Sequence, residues 1–228
     1  MTLNRIKKII KSLLRIHQKC DFWRKRQINK YIKLHDVAKL QIGCGPYPIK
    51  GWLNTDFELE KCKNGVIFLD AGKLFPIPDA SFDYIYSEHL FEHLKYTQAK
   101  NMLQECFRIL KPNGVLRIAT PNLQFLVDLY LHPEKDINRS YIEFDAKRSY
   151  LPPHPVYAIN RFHTTWGHQI IHDPESLTDL LEKAGFRDIC RCEMSKSCHA
   201  HLNNVENHFK HLKYEYNLVQ TMIFEAQR

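Results

Sequence analysis

Leu3, Ile6, Ile9, Ile10, Leu13 and Leu14 recur at the i, i+3, i+4, i+7 spacing, with Lys7, Lys8, Lys11 and Arg15 between them. That period predicts an amphipathic helix over 3–19. Phe22, Trp23, Ile28, Tyr31 and Ile32 continue an apolar side through a second helix. From Val37 the pattern changes to short, mostly unbroken apolar runs. These predict buried strands at 37–42, 52–56, 65–70, 81–87, 115–120, 186–192 and 216–226. Helical spacing runs from Thr97 to Leu110, where Lys111-Pro112-Asn113-Gly114 stops it, and from Pro174 to Ala184, closed by Gly185. Helices alternating with apolar strands predict an α/β fold built on a largely parallel sheet. The interval 121–173 is less regular, carries Pro152, Pro153 and Pro155, and is too long for a plain connection. It reads as an insertion or lid.

Composition adds bounds. The chain has 228 residues, 44% hydrophobic and 25% charged, which suits one domain with an appendage. No apolar run is long enough to span a membrane as a helix. The net charge of +8 is local: residues 1–36 hold 11 Lys and Arg against 2 acids, and the rest hold 22 against 23. An anionic partner would therefore meet the N-terminal stripe. That stripe can lie on an anionic membrane surface, or pack on the domain or a second subunit. Nucleic acid is a third, less favoured partner.

Seven cysteines are scattered, with no Cys-x-x-Cys pair, so a zinc finger or iron–sulfur site lacks its usual ligand spacing. Cys190 and Cys192, two apart, would point the same way on a strand. Lys and Arg interrupt the apolar residues at the start, so no secretory leader is expected. A reducing cytoplasm is the default, with a peripheral place on the inner membrane surface as the variant that the basic stripe suggests.

The chemistry concentrates where three successive strands end: Gly43-Cys44-Gly45, then Asp56, then Asp70. In an open parallel sheet, ligands bind outside the carboxyl ends of the strands. A glycine turn lets backbone approach a ligand closely. One acid can accept two hydrogen bonds from a ribose diol, and the next can accept one from the amine of a purine. Together they describe a nucleoside pocket; ordinary strand-end capping is the plainer reading of the two acids. A dinucleotide fingerprint would need glycine at Pro48, and the prolines obstruct a helix N-terminus there, so NAD and FAD are disfavoured.

Leu40-Gln41-Ile42-Gly43-Cys44-Gly45, Asn54-Thr55-Asp56, Leu69-Asp70-Ala71, the run from Phe75 to Leu94, and Arg108-Ile109-Leu110-Lys111-Pro112-Asn113-Gly114 occur in order. This series resembles the successive motifs of class I S-adenosylmethionine-dependent methyltransferases of the small-molecule, type 11 group. The resemblance implies a Rossmann-like, seven-stranded, mostly parallel sheet with helices on both faces and an antiparallel last strand. It places the methyltransferase domain at 37–228, with 121–173 as the lid and 1–36 as a basic helical extension. It assigns Gly43 and Gly45 to the methionine part of S-adenosylmethionine, Asp56 to the ribose, Asp70 and the Ala71 backbone to the adenine, and Ser87 to the sulfonium. Three departures stand out: Gln41 occupies a place often held by an acid, Tyr47 one often held by glycine, and the helix after the first strand is very short.

Ser87-Glu88-His89-Leu90 stands where amino-methylating nucleic-acid enzymes carry Asn/Asp-Pro-Pro-aromatic, so a DNA-adenine reaction is disfavoured. For a hydroxyl acceptor the protein must hold the acceptor and take its proton. His89 and His168 are the candidate catalytic histidines. His93 lies four positions after His89, on the same side if the segment is helical. His89 is equally readable as a capping or core residue. Arg161 and His163 can bind an anionic or hydroxylated acceptor and Trp166 can stack on a sugar, or the same residues can anchor the lid. His163, His168 and His172 have only Asp173 as a nearby carboxylate, so no metal is expected. The expected function is O-methylation of a sugar, glycan precursor or other small acceptor. The alternatives are a lipid or quinone head group at a membrane, and a non-catalytic binder of the cofactor or of nucleic acid.

Overall fold

The computed structural model describes residues 21–61, 65–207 and 212–228. The apolar stripe at 3–19, Cys20 and Cys62 lie outside the described residues. Seven strands form one sheet: β1 (Lys39–Ile42), β2 (Leu53–Asp56), β3 (Ile67–Phe68), β4 (Phe82–Glu88), β5 (Leu110–Pro121), β6 (Arg187–Cys192) and β7 (Thr221–Gln227). Their order is β3-β2-β1-β4-β5-β7-β6. β7 runs antiparallel to both neighbours, and the other pairings are parallel. The order reverses between β1 and β4, which is the switch point where a ligand crevice opens.

One face of the sheet carries the main core. Leu40, Ile42, Ile85, Leu116, Ile118 and Phe224 pack there against α1 (Asp21–Leu34), α2 (Tyr96–Ile109) and α3 (Pro174–Lys183). α2 buries Ala99, Met102, Leu103, Cys106 and Ile109, the stripe expected from its sequence. α1 belongs to this body: Ile28 is buried in the main core, and the Tyr31 hydroxyl lies 3.0 Å from the carbonyls of both Lys39 and Gly51. Residues 21–34 of the basic extension thus dock on the sheet.

The opposite face is covered differently. Between β1 and β2 the chain forms turns and no helix at all, where a very short helix was expected. The reason is local. The Gln41 side chain is buried and its Oε1 accepts from Ile49 N–H at 3.1 Å, while Asn54 Oδ1 accepts from the same N–H at 2.8 Å. Asn54 Nδ2 also donates to the Ile49 and Trp52 carbonyls. These amides fasten a proline-bearing loop that cannot propagate a helix. The vacant face is filled by residues 193–207, whose Leu202 and Val205 pack on Trp52, Tyr86 and Val115.

The interval 121–173 is helical: α4 (Leu123–Leu131), α5 (Asp136–Ser149) and α6 (Pro155–Thr164), with Pro155 in the first turn, where proline is tolerated. These helices share a second core with Tyr216. The run 216–226, expected to be one strand, divides into α7 (Tyr214–Gln220) and β7. Tyr216 and Val219 face the second core, so their apolar character serves a helix there rather than the sheet. The insertion begins directly after β5 and so rises from the carboxyl edge of the sheet.

Candidate active site

The glycine turn after β1 is tied to the end of β2. Gly43 and Gly45 have φ of +72° and +50°, the left-handed region that glycine enters without strain. Gly43 N–H and Cys44 N–H both donate to the Thr55 carbonyl, at 2.9 and 3.0 Å. Gly45 N–H donates to Asp56 Oδ2 at 2.8 Å, and Glu58 N–H donates to Asp56 Oδ1 at 2.7 Å. Each oxygen of Asp56 therefore keeps a lone pair beyond the backbone bond that it accepts. A side chain at Gly43 would meet Leu90 at 3.0 Å, whereas one at Gly45 would meet nothing within 4 Å. Gly43 is thus needed for packing, and Gly45 opens onto free space.

Asp70 follows β3 on the adjacent edge; Leu69 N–H donates to the Asp56 carbonyl at 3.0 Å, which sets the two acids on neighbouring chain ends. Asp70 Oδ1 accepts from Gly72 N–H at 3.0 Å, and Oδ2 lies 3.3 Å from Lys73 Nζ. Ala71 beside it is buried.

At the end of β4, Ser87 pairs in register with Ile42 on one side and Ile118 on the other. Its Oγ is fully buried and has no hydrogen-bond partner. A buried hydroxyl left unpaired costs roughly 1–3 kcal/mol, so this atom calls for a partner. His89 follows with φ of +48°, held by its N–H on the Ala119 carbonyl at 2.9 Å. The expected shared helical side for His89 and His93 is absent, because His89 lies outside the 3-10 turn Phe91–His93.

Glu92 is the residue that sequence reasoning passed over. Its carboxylate is fully buried; Oε1 accepts from His89 Nδ1 at 3.0 Å, and Oε2 accepts from Thr120 Oγ1 at 3.1 Å. Burial opposes the charge on both partners. The hydrogen bond and mutual attraction outweigh it, so His89 titrates above the ordinary histidine range and Glu92 below the ordinary carboxylate range. With Nδ1 donating to Glu92, the basic nitrogen of neutral His89 is Nε2, which lies 3.5 Å from Thr221 Oγ1. The spacing His89-x-x-Glu92 was the available signal; the burial that gives it meaning is tertiary.

Glu92 also fastens the insertion. Its carbonyl accepts from Gln169 N–H at 2.7 Å and Ile170 N–H at 3.2 Å. This brings His168 Nε2 to 4.0 Å from Glu92 Oε1, with the His168 and His93 rings edge to face at 4.8 Å. Burial lowers the His168 pKa, favouring the neutral ring. Arg161 Nε lies 3.3 Å from Asp145 Oδ1, and its guanidinium sits 5.3 Å from the Trp166 ring. Trp166 is 47% exposed, and its ring lies 5.7 Å from that of His168. His163 is exposed. The structure thus gathers His89, His168, Arg161 and Trp166 near the end of the insertion beside Glu92, while His163 is exposed.

The methyltransferase domain family matches residues 50–118. Over 111 residues the chain is 33% identical to a probable S-adenosylmethionine-dependent methyltransferase of Mycolicibacterium smegmatis, covering 49% of this chain and 31% of that protein. It is 31% identical over 117 residues to a probable S-adenosylmethionine-dependent methyltransferase of Mycobacterium tuberculosis, covering 51% and 31%. The chain thus spans about a third of the length of these curated relatives. A crystal structure of a methyltransferase of this cofactor class from Archaeoglobus fulgidus superposes with a TM-score of 0.50 at 18% identity, covering 92% of this chain and 95% of that one. That likeness is one of fold. The methyltransferase domain match thus spans residues 50–118, from the loop before β2 into β5, on a sheet whose strand order agrees with the motif series.

Proposed function

We propose that the protein methylates a hydroxyl of a sugar, glycan precursor or other small acceptor. The observation that carries this reading is the buried Glu92 carboxylate behind His89, which stands two residues beyond Ser87, whose buried hydroxyl lacks a hydrogen-bond partner among the described residues. S-adenosylmethionine, when bound, supplies a methyl carbon on a sulfonium; attack on that carbon breaks the C–S bond and leaves the electron pair on sulfur. The residues present fit it: Asp56 has lone pairs for the ribose, Asp70 for the adenine amine, Gly45 leaves room, and Ser87 Oγ needs a partner. His89 Nε2 takes the acceptor's proton, and Glu92 fixes the tautomer and stabilises the resulting imidazolium. The lid, tied to Glu92 by two backbone bonds, screens the site from water. Trp166, half-exposed at the lid base, suits stacking on a sugar face.

A second reading, a lipid or quinone head group, is favoured by the +9 balance of residues 1–36. Among the described residues no helix is long and apolar enough to cross a membrane, so such contact would be peripheral.

Calorimetry with S-adenosylmethionine and its demethylated product, followed by an acceptor screen for release of that product, tests the proposal. Both ligands should bind and Asp56→Ala should abolish binding. Turnover on glycans separates the first reading from the second, in which turnover requires lipid vesicles. Binding of neither ligand overturns both.

A further inference from the structure

On the sheet face away from the main core, four soft donors surround one buried carboxylate. Cys190 and Cys192 on β6 point to the same side, their Sγ atoms 3.9 Å apart. Cys190 stands directly opposite Glu225 of β7. Cys198 and His199 come from the segment that closes this face. The donor atoms of Cys190 and Cys192 lie within 4.8 Å of a Glu225 oxygen, and so do those of Cys198 and His199. Glu225 is 3% exposed; Oε1 accepts from Arg117, and Oε2 is buried with no hydrogen-bond partner among the described residues.

Nothing in methyl transfer uses these groups. A buried, half-satisfied carboxylate beside three thiols is a poor arrangement for an apolar sheet face. It is a sound one for a cation. Thiolates bonded at about 2.3 Å to a tetrahedral zinc ion stand about 3.8 Å from each other, close to the observed sulfur separation. The segment bearing Cys198 and His199 is held in place without a metal. Arg117 donates to the Glu193 and Lys196 carbonyls at 3.3 and 3.1 Å, Ser197 N–H donates to Asn203 Oδ1, and His199 N–H donates to Ser197 Oγ. Two donor pairs, each within 4.8 Å of Glu225, thus come from two separately fixed pieces of backbone and meet at that carboxylate.

We propose that Cys190, Cys192, Cys198 and His199 bind a zinc ion beside Glu225, in a closed structural site. The spacing Cys-x-Cys-x5-Cys-His differs from that of zinc fingers, because the first pair lies on a strand, where alternate residues share a face, rather than in a knuckle. The ion would rivet residues 193–207 to β6 and β7, and so hold the cover that replaces a helix after β1. Because metal binding to such a site is coupled to folding, it would add stability to that segment. The inference is independent of the acceptor and of catalysis.

The test titrates the metal-free, reduced full chain with Co2+ and reads absorption. One equivalent should give a thiolate-to-cobalt charge-transfer band and tetrahedral d–d bands, and Zn2+ should displace both. Cys198→Ser should weaken binding at least tenfold, and the Cys190→Ser/Cys192→Ser pair should abolish the charge-transfer band. Zinc should also slow modification of three thiols in the wild type, a readout that needs no variant. Absence of the charge-transfer band in the wild type overturns the site. So does a band that survives in the Cys190→Ser/Cys192→Ser protein with circular dichroism unchanged.

Discussion

Arg117 Nε and Glu206 Oε1 lie 2.6 Å apart in a fully buried ion pair that joins β5 to the segment covering the second sheet face. The same guanidinium donates from Nη1 to Glu225 Oε1 at 2.6 Å. Burial works against the charge on Arg117, and the two carboxylates more than restore it. A cationic side chain with no exposure is tolerable here because each of its three nitrogens donates to an oxygen.

Removing one partner of such a group is costly. Arg117→Met leaves Glu206 and Glu225 facing one another without a counter-charge. We expect a loss of about 3–5 kcal/mol in unfolding free energy, read from urea denaturation. Adding Glu206→Gln and Glu225→Gln should recover part of it. An unchanged midpoint in the single variant would show that water reaches the cluster.

Ser87 gives a prediction with two opposite signs. Its buried hydroxyl has no hydrogen-bond partner among the described residues. Ser87→Ala therefore removes an unsatisfied group and should raise the melting temperature of the ligand-free protein, by an amount equivalent to about 1 kcal/mol. If the hydroxyl serves the cofactor, the same change should weaken S-adenosylmethionine binding by roughly tenfold, about 1.4 kcal/mol. A stability gain with unchanged affinity would remove Ser87 from the site.

Arg161 and Trp166 separate in the same manner. Arg161 is engaged with Asp145, whose pKa burial raises, so Arg161→Ala strands a buried carboxyl and should lower the melting temperature. Trp166 is half-exposed and fills less of the core. Trp166→Ala should leave stability within about 1 kcal/mol and raise KM for a sugar acceptor. A KM effect from Arg161→Ala with no change in stability would reverse these assignments.

The strand ends were legible because their chemistry is local. Gly43, Asp56 and Asp70 each interrupt an apolar run, and the parallel sheet carries all three to one edge. Tyr216 misled because an apolar residue looks the same whether a helix or a strand buries it. The helices of 121–173 were obscured by Pro152, Pro153 and Pro155, of which Pro155 begins α6 instead of preventing it. The spacing from His89 hinted at Glu92 but carried no sign of its burial, and Arg117 could not be read at all. A glutamate between two histidines is usually a solvated residue, and only the fold shows it sealed against Thr120. The pairing of Arg117 with Glu206 spans 89 positions, beyond any periodicity.

The pair of His89 and Glu92 makes the sharpest prediction, because its two members shift in opposite directions. The rate should depend on neutral His89, so it should rise with pH through a value above the ordinary histidine pKa of about 6.5. The stability linked to His89 runs the other way. Its folded pKa is raised, so the contribution is complete below about pH 6.5 and is lost as pH climbs through the raised value. Glu92→Gln keeps a possible acceptor for Nδ1 but deletes the charge. Burial, now opposed only by the weaker attraction of Glu88, should carry the acidic limb of the rate profile to lower pH and reduce kcat by about 10²-fold or more, whereas His89→Gln should abolish the limb. Measuring kcat against pH in the three proteins decides the matter. If the limb stays in place in Glu92→Gln, the proton is taken by some other group, and the His89 dyad is structural.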